Sequence, residues 1–220
     1  MGADRTVGLP YHLGYPLLSA VLLAISAFAS ADSVWFVSVS TRSQVIRFAS
    51  QNYCGYNVSN LVITGKLGCI FRGYQWQLPS GYFGFPVPND INLNLGKVVV
   101  TSVVAFALVL VAGLHHAYSI RYSYRVSPAP NGDKLYSLVM IHVISVGVVF
   151  AFTWIAFIAQ AAVIGAAVSK SNNIVSSDVD DDIGNGVAIY WGQSVWLVLA
   201  SAVVHFGWVY EAVRWRASVK

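Results

Sequence analysis

The chain has 220 residues, of which 56% are hydrophobic and only 10% charged, and its mean hydropathy is +0.62. This composition excludes a disordered or fibrous chain and points to a membrane protein. A formal charge of +4 would suit nucleic acid, but the basic residues sit singly at the edges of apolar runs and read as topology signals, so no nucleic-acid partner is expected.

Four runs are long enough to cross a bilayer as helices, which takes about 20 apolar residues. A helix satisfies every backbone polar group within its own segment. The first run covers about 15–37. Ala29-Ser30-Ala31 would suit a signal-peptide cleavage site. However, the apolar character continues through Val34-Trp35-Phe36-Val37, and the long leader carries only one basic residue, Arg5, so the segment is expected to be retained. The other runs cover about 97–117, 135–168 and 190–213. With the polar loop 38–96 they use the whole chain, which reads as one mostly α domain of residues 1–220: a four-transmembrane-helix bundle with a small extracellular β-sheet cap.

The loop holds Cys54 and Cys69, the only cysteines. An oxidising compartment would pair them, and two cysteines allow one connectivity. Closing that loop is worth about 3 kcal/mol in the chain-entropy model. Asn57-Val58-Ser59 is a glycosylation sequon, so Asn57 is an expected glycan site. Leu61–Thr64, Gly65-Lys66 and Leu67–Phe71 predict a hairpin with its turn at Gly65-Lys66. In that register Cys69 faces Val62, and the disulfide ties the hairpin to a neighbouring strand or turn around Tyr53–Tyr56. The aromatic stretch that follows carries Tyr74, Trp76, Tyr82, Phe83 and Phe85. Its rings suit either packing on the sheet and membrane interface or an exposed partner contact.

Charge sets the sides. Arg121, Arg125 and Lys134 flank the second-to-third connection, and Arg214, Arg216 and Lys220 the C-terminal tail. Both are expected in the cytoplasm, which puts both termini there. The third-to-fourth connection carries Asp178, Asp180, Asp181 and Asp182 and faces out. That run resembles a calcium loop at three positions but has Ile183 where the loop needs Gly, so a solvated loop is expected.

No phosphate-binding glycine loop, nucleophile elbow or HExxH motif occurs, and no enzyme is expected. Asp32 lies near the outer end of the first run, within reach of water. Gln160 and Gln193 are placed to bridge the third and fourth helices through their amides. His115, His116, His142 and His205 all fall in the cytoplasmic leaflet. Facing imidazoles can ligate haem or a metal. The favoured reading is structural, with hydrogen bonds to neighbouring helices, and no cofactor is expected.

Tyr53-Cys54-Gly55-Tyr56, then Gly68-Cys69, then Gly73-Tyr74 and an apolar second span resemble the fungal SUR7/PalI family of the claudin-like superfamily. The claudin Gly-Leu-Trp before the first cysteine is missing and the cysteine spacing is wider, so no paracellular-junction role is implied. The resemblance implies a non-enzymatic, multi-pass plasma-membrane protein acting in membrane-domain organisation, wall integrity or ambient-pH sensing. The expected function is self-association, or scaffolding of partner membrane proteins and lipids, sterol included, as a homo-oligomer. The rival functions are an accessory subunit of a membrane transporter or synthase, and a small b-type haem electron carrier.

Overall fold

The computed structural model describes residues 9–60, 62–74, 90–125, 132–177 and 188–219. Trp76, Tyr82, Phe83, Phe85 and the acidic run Asp178–Asp182 lie outside the described residues. Helix α1 spans Leu9–Phe28. A π-helical turn, Asp90–Leu95, leads through the short α2, Gly96–Val98, into α3, Val100–Arg125. Helices α4, Gly132–Ser177, and α5, Gln193–Val219, complete the bundle.

Three helical segments are long and apolar enough to cross a membrane: Leu93–Ser123, Lys134–Ser171 and Gln193–Ser218. That is the mark of a membrane protein. The apolar part of α1, Leu13–Phe28, is shorter. α1 packs on α3 and α5, and α4 packs on the same two helices, so the four close into a ring. Leu23, Val109, Val146, Val198 and Trp208 fill its centre. Leu17, Leu114, Ile144, Ile155 and Phe206 stand exposed on the outer helix surfaces, Leu114 at 71%. Water would penalise such a surface, whereas lipid would not.

Two of the apolar runs do not stay helical. The first leaves its helix at Phe28, turns through Ser30–Val34, and enters strand β1, Val37–Ser40. The last begins as strand β5, Ala188–Trp191, and becomes helix only from Gln193. Hydropathy does not separate a buried strand from a buried helix. Here β-branched and aromatic residues (Val37 and Val39 in β1; Ile189, Tyr190 and Trp191 in β5) favour the pleated form.

Strands β2 (Gln44–Phe48), β3 (Asn52–Ser59) and β4 (Val62–Phe71) complete an antiparallel sheet in the order β4-β3-β2-β1-β5. Its inner face rests on the π-helical turn, on α4 and on the start of α5 through Phe36, Val39, Ile46, Phe48, Ile91, Leu95, Ile164 and Val195. The expected turn at Gly65-Lys66 is absent, because β4 runs straight through it. Gly65 lies opposite Asn57, and Lys66 opposite Tyr56. The turn falls instead between β3 and β4, where Asn60 takes a left-handed φ of 52°. Asn tolerates that conformation through its short polar side chain. Register shifts at Gly55/Tyr56 and Asn57/Val58 then bring Cys69 opposite Cys54 rather than Val62.

Candidate functional site

Two groups of polar side chains stand out, one at each end of the bundle. At the sheet end, Cys54 and Cys69 form a cross-strand disulfide with Cα atoms 4.1 Å apart. Cys54 is buried and Cys69 exposed. Beside them lies Asp32, from the turn after α1. The Tyr56 hydroxyl donates to its Oδ1 at 2.6 Å, and Lys66 Nζ donates to Oδ2 at 2.8 Å. Further bonds clamp the sheet to the end of α1. The Asn52 Oδ1 accepts from the Ala31 amide at 2.9 Å, and Asn52 Nδ2 donates to Ser30 Oγ at 3.0 Å. The Ser50 hydroxyl donates to the Ala27 carbonyl, which would otherwise lack a partner at a helix C-terminus. The Arg47 guanidinium lies 3.9 Å from the Trp35 ring centroid and 4.8 Å from that of Tyr56. Such a cation–π arrangement fixes the sheet surface near the membrane end.

Asp32, Cys54 and Cys69 are the only group of three potential metal-binding side chains found close together among the described residues. The two sulfurs are bonded to each other and are not thiolates, so the group is no metal site. Asn57 sits exposed on β3, accessible to modification. Of the aromatic contact residues, only Tyr74 is described. It is half-buried, and its hydroxyl accepts a hydrogen bond from Gln51 Nε2.

Lys66 and then Tyr56 hold the Asp32 carboxyl below the usual carboxylate range. Burial first, and then the bond to Asp32, pushes the Tyr56 phenol up to about 12. The signs follow from linkage. Asp32 contributes stability above its ordinary value of 3.8 and loses it as pH falls through its lowered folded value. Tyr56 contributes fully below the ordinary 10.0 and loses its contribution as pH rises from there to about 12. Thermal melts at rising pH should therefore show an alkaline loss that shrinks in Tyr56→Phe. An equal alkaline limb in wild type and variant would remove Tyr56 from this role.

At the other end, His116 and His142 stack with ring centroids 4.1 Å apart, and His115 lies 6.3 Å from His142. Trp208 and Trp215 flank the pair. The Trp208 Nε1–H donates to His116 Nδ1 at 3.2 Å, which places the proton of a neutral His116 on Nε2. His205 stands apart: its Nε2 lies 2.7 Å from Ser19 Oγ, which is itself 2.7 Å from Ser201 Oγ. This links α1 to α5. A bis-imidazole haem site needs two ring nitrogens directed at one iron from opposite sides. The stacked rings of His116 and His142 are not arranged as such a pair.

The expected bridge between Gln160 and Gln193 does not form. Gln160 Nε2 donates instead to Thr101 Oγ1 at 3.0 Å and Ser102 Oγ at 2.9 Å, both on α3. Hydroxyls at matched depth on a packed neighbour take the amide's donors, while its buried Oε1 finds no partner among the described residues. The Asp32–Tyr56–Lys66 cluster, the Arg47 stack and the Ser19–His205 link carry no motif in the sequence. Asp32 is legible as a polar residue near the end of an apolar run and His205 as a histidine expected to bond a neighbouring helix, but their partners are not.

Fold and site together define a helical membrane protein with a disulfide-bonded antiparallel sheet seated on one end of its bundle. No protein-family model matches the chain, and no curated protein matches it.

Proposed function

We propose that the chain is a non-enzymatic, four-span plasma-membrane scaffold of the SUR7/PalI kind, with its sheet outside and both termini in the cytoplasm. α1 supplies the fourth crossing. Its 20 residues extend about 30 Å, the thickness of the hydrocarbon core. Arg121, Lys134, Arg214 and Arg216 fall at the end away from the sheet, which supports that end as cytoplasmic. The disulfide, and Asn57 exposed on β3, support an outside location for the sheet, with a glycan at Asn57.

The observation that carries the scaffold reading is the clamp of Asp32, Ser50 and Asn52. It joins the sheet to α1 and makes the cap a rigid platform rather than a loose loop. A rigid cap above a lipid-facing bundle suits lateral contacts with copies of the chain, with other membrane proteins and with sterol-containing lipid. Particle images and native mass in mild detergent test this. A uniform homo-oligomer is expected. A stoichiometric foreign partner would replace the scaffold reading by that of an accessory subunit, and a monodisperse monomer would overturn self-association.

A further inference from the structure

In the half of the bundle away from the sheet, α1 and α3 part to leave an open groove of about 190 Å3. Cavities of about 150 Å3 already admit a benzene ring. Pro16 and Leu17 form one wall, and Leu110, Gly113 and Leu114 the other, with Ala117 at the far end. Gly113 lets the helices meet at the floor, since a Cβ there would lie 3.3 Å from that of Pro16. Along α1 the lining runs from Leu13 to Ala20, about 10 Å at helical rise. The groove is therefore narrow, elongated and apolar.

We infer that this groove holds one acyl chain of an anionic phospholipid, whose headgroup is taken by Arg121; the inference rests on the membrane-spanning reading above. Leu110, Leu114, Ala117 and Arg121 follow one another at four-, three- and four-residue steps, so they share one face of α3. Arg121 lies one turn beyond the groove, about 6 Å further along the axis. It is exposed, near the end of the apolar segment Leu93–Ser123. A guanidinium there reaches the interface while its stem covers apolar surface. Among the described residues, no carboxylate forms an ion pair with Arg121.

Charge selects the occupant. A sterol hydroxyl gives a guanidinium no counter-charge. A second copy docked about a two-fold axis through the groove would bring two Arg121 side chains together. An anionic phospholipid offers both a phosphate with the bidentate geometry that Arg favours and a net negative charge that a zwitterionic lipid lacks.

Native mass spectrometry of the full chain in mild detergent, titrated with phosphatidylserine or phosphatidylcholine, tests this. Phosphatidylserine should be retained about fivefold better, the size expected from one Arg at an anionic surface. Arg121→Gln should abolish the preference, whereas Arg214→Gln should keep it. Ala117→Phe, which fills the end of the groove, should lose the retained lipid. An unchanged preference in Arg121→Gln, undiminished retention in Ala117→Phe, or displacement of phosphatidylserine by cholesterol would overturn the inference. Spin-labelled lipids in vesicles give a test on wild type alone, where equal immobilised fractions of the two phospholipids would overturn it. A chain stripped from those vesicles by alkaline carbonate would overturn the spanning reading itself. A chain that stays inserted without lipid preference would overturn this inference alone.

Discussion

Gly192→Ala should be the most damaging glycine-to-alanine change among the described residues. A Cβ at Gly192 would sit 2.0 Å from the Trp35 carbonyl oxygen and 2.6 Å from its carbon. Both are backbone atoms, so no side-chain rotation relieves the overlap. The same junction carries two hydrogen bonds, Gly192 N–H to the Phe36 carbonyl at 2.8 Å and Ser194 N–H to the Trp35 carbonyl at 3.0 Å. Pushing Trp35 away would weaken the second bond and shift the ring beneath Arg47. The cost should reach the upper end for overpacking, about 3 kcal/mol or more. Thermal unfolding in detergent, followed by tryptophan fluorescence, should show a clearly lowered Tm. Gly165→Ala is the matched control, because its Cβ would meet only the Trp191 ring at an ordinary 3.6 Å. It should leave Tm nearly unchanged. Equal Tm values for the two variants would show that β1 and the β5–α5 junction are not in contact.

Cys54→Ser should release β4 while leaving the helices intact. The bond closes a separation of 15 residues, worth about 3 kcal/mol through the unfolded chain. β4 pairs on one side only, with β3. Its further ties are Ile70, only partly buried against the core, and the Lys66–Asp32 ion pair, which is half-exposed and worth little alone. Loss of the disulfide should therefore open cleavage by trypsin after Lys66 and Arg72, with helical circular dichroism unchanged. Reduced wild type should behave alike. Continued resistance to trypsin would mean that β4 is held by something other than the disulfide. The same variant reports on assembly: a cap that mediates self-association should lose its oligomer when β4 comes loose.

How much of this architecture can be read from the residues alone varies by level. The existence of the long helices follows from hydropathy, and the disulfide from a count of two cysteines in one polar loop. The ends of the first and last apolar runs do not follow. Val37 and Tyr190–Trp191 are as apolar as the helices beside them, yet they lie in strands of the sheet. The register of the cap was also misleading. Gly65-Lys66 has good turn chemistry, but Asn60 accommodates the turn equally well and lets Cys54 and Cys69 pair directly. The common depth of His115, His116 and His142 is legible from their positions along the spans. Their stacking is not, because α3, α4 and α5 are apolar all round and show no preferred face in sequence. Gln160 failed as a bridge to Gln193 for the same reason: depth was readable and direction was not.

The strand order also bears on how the molecule is made. β1 to β4 lie ahead of α3 in the chain, while β5, the second neighbour of β1, lies just before α5. Synthesis proceeds from the N-terminus. The cap must therefore wait, with one flank of β1 open, until nearly the whole polypeptide has emerged. Val37 and Val39, fully covered at the end, lie on that waiting strand. An exposed strand flank is a template for unwanted pairing. Arrival of α5 thus seals the sheet, and a chain halted before residue 188 would present an adhesive border.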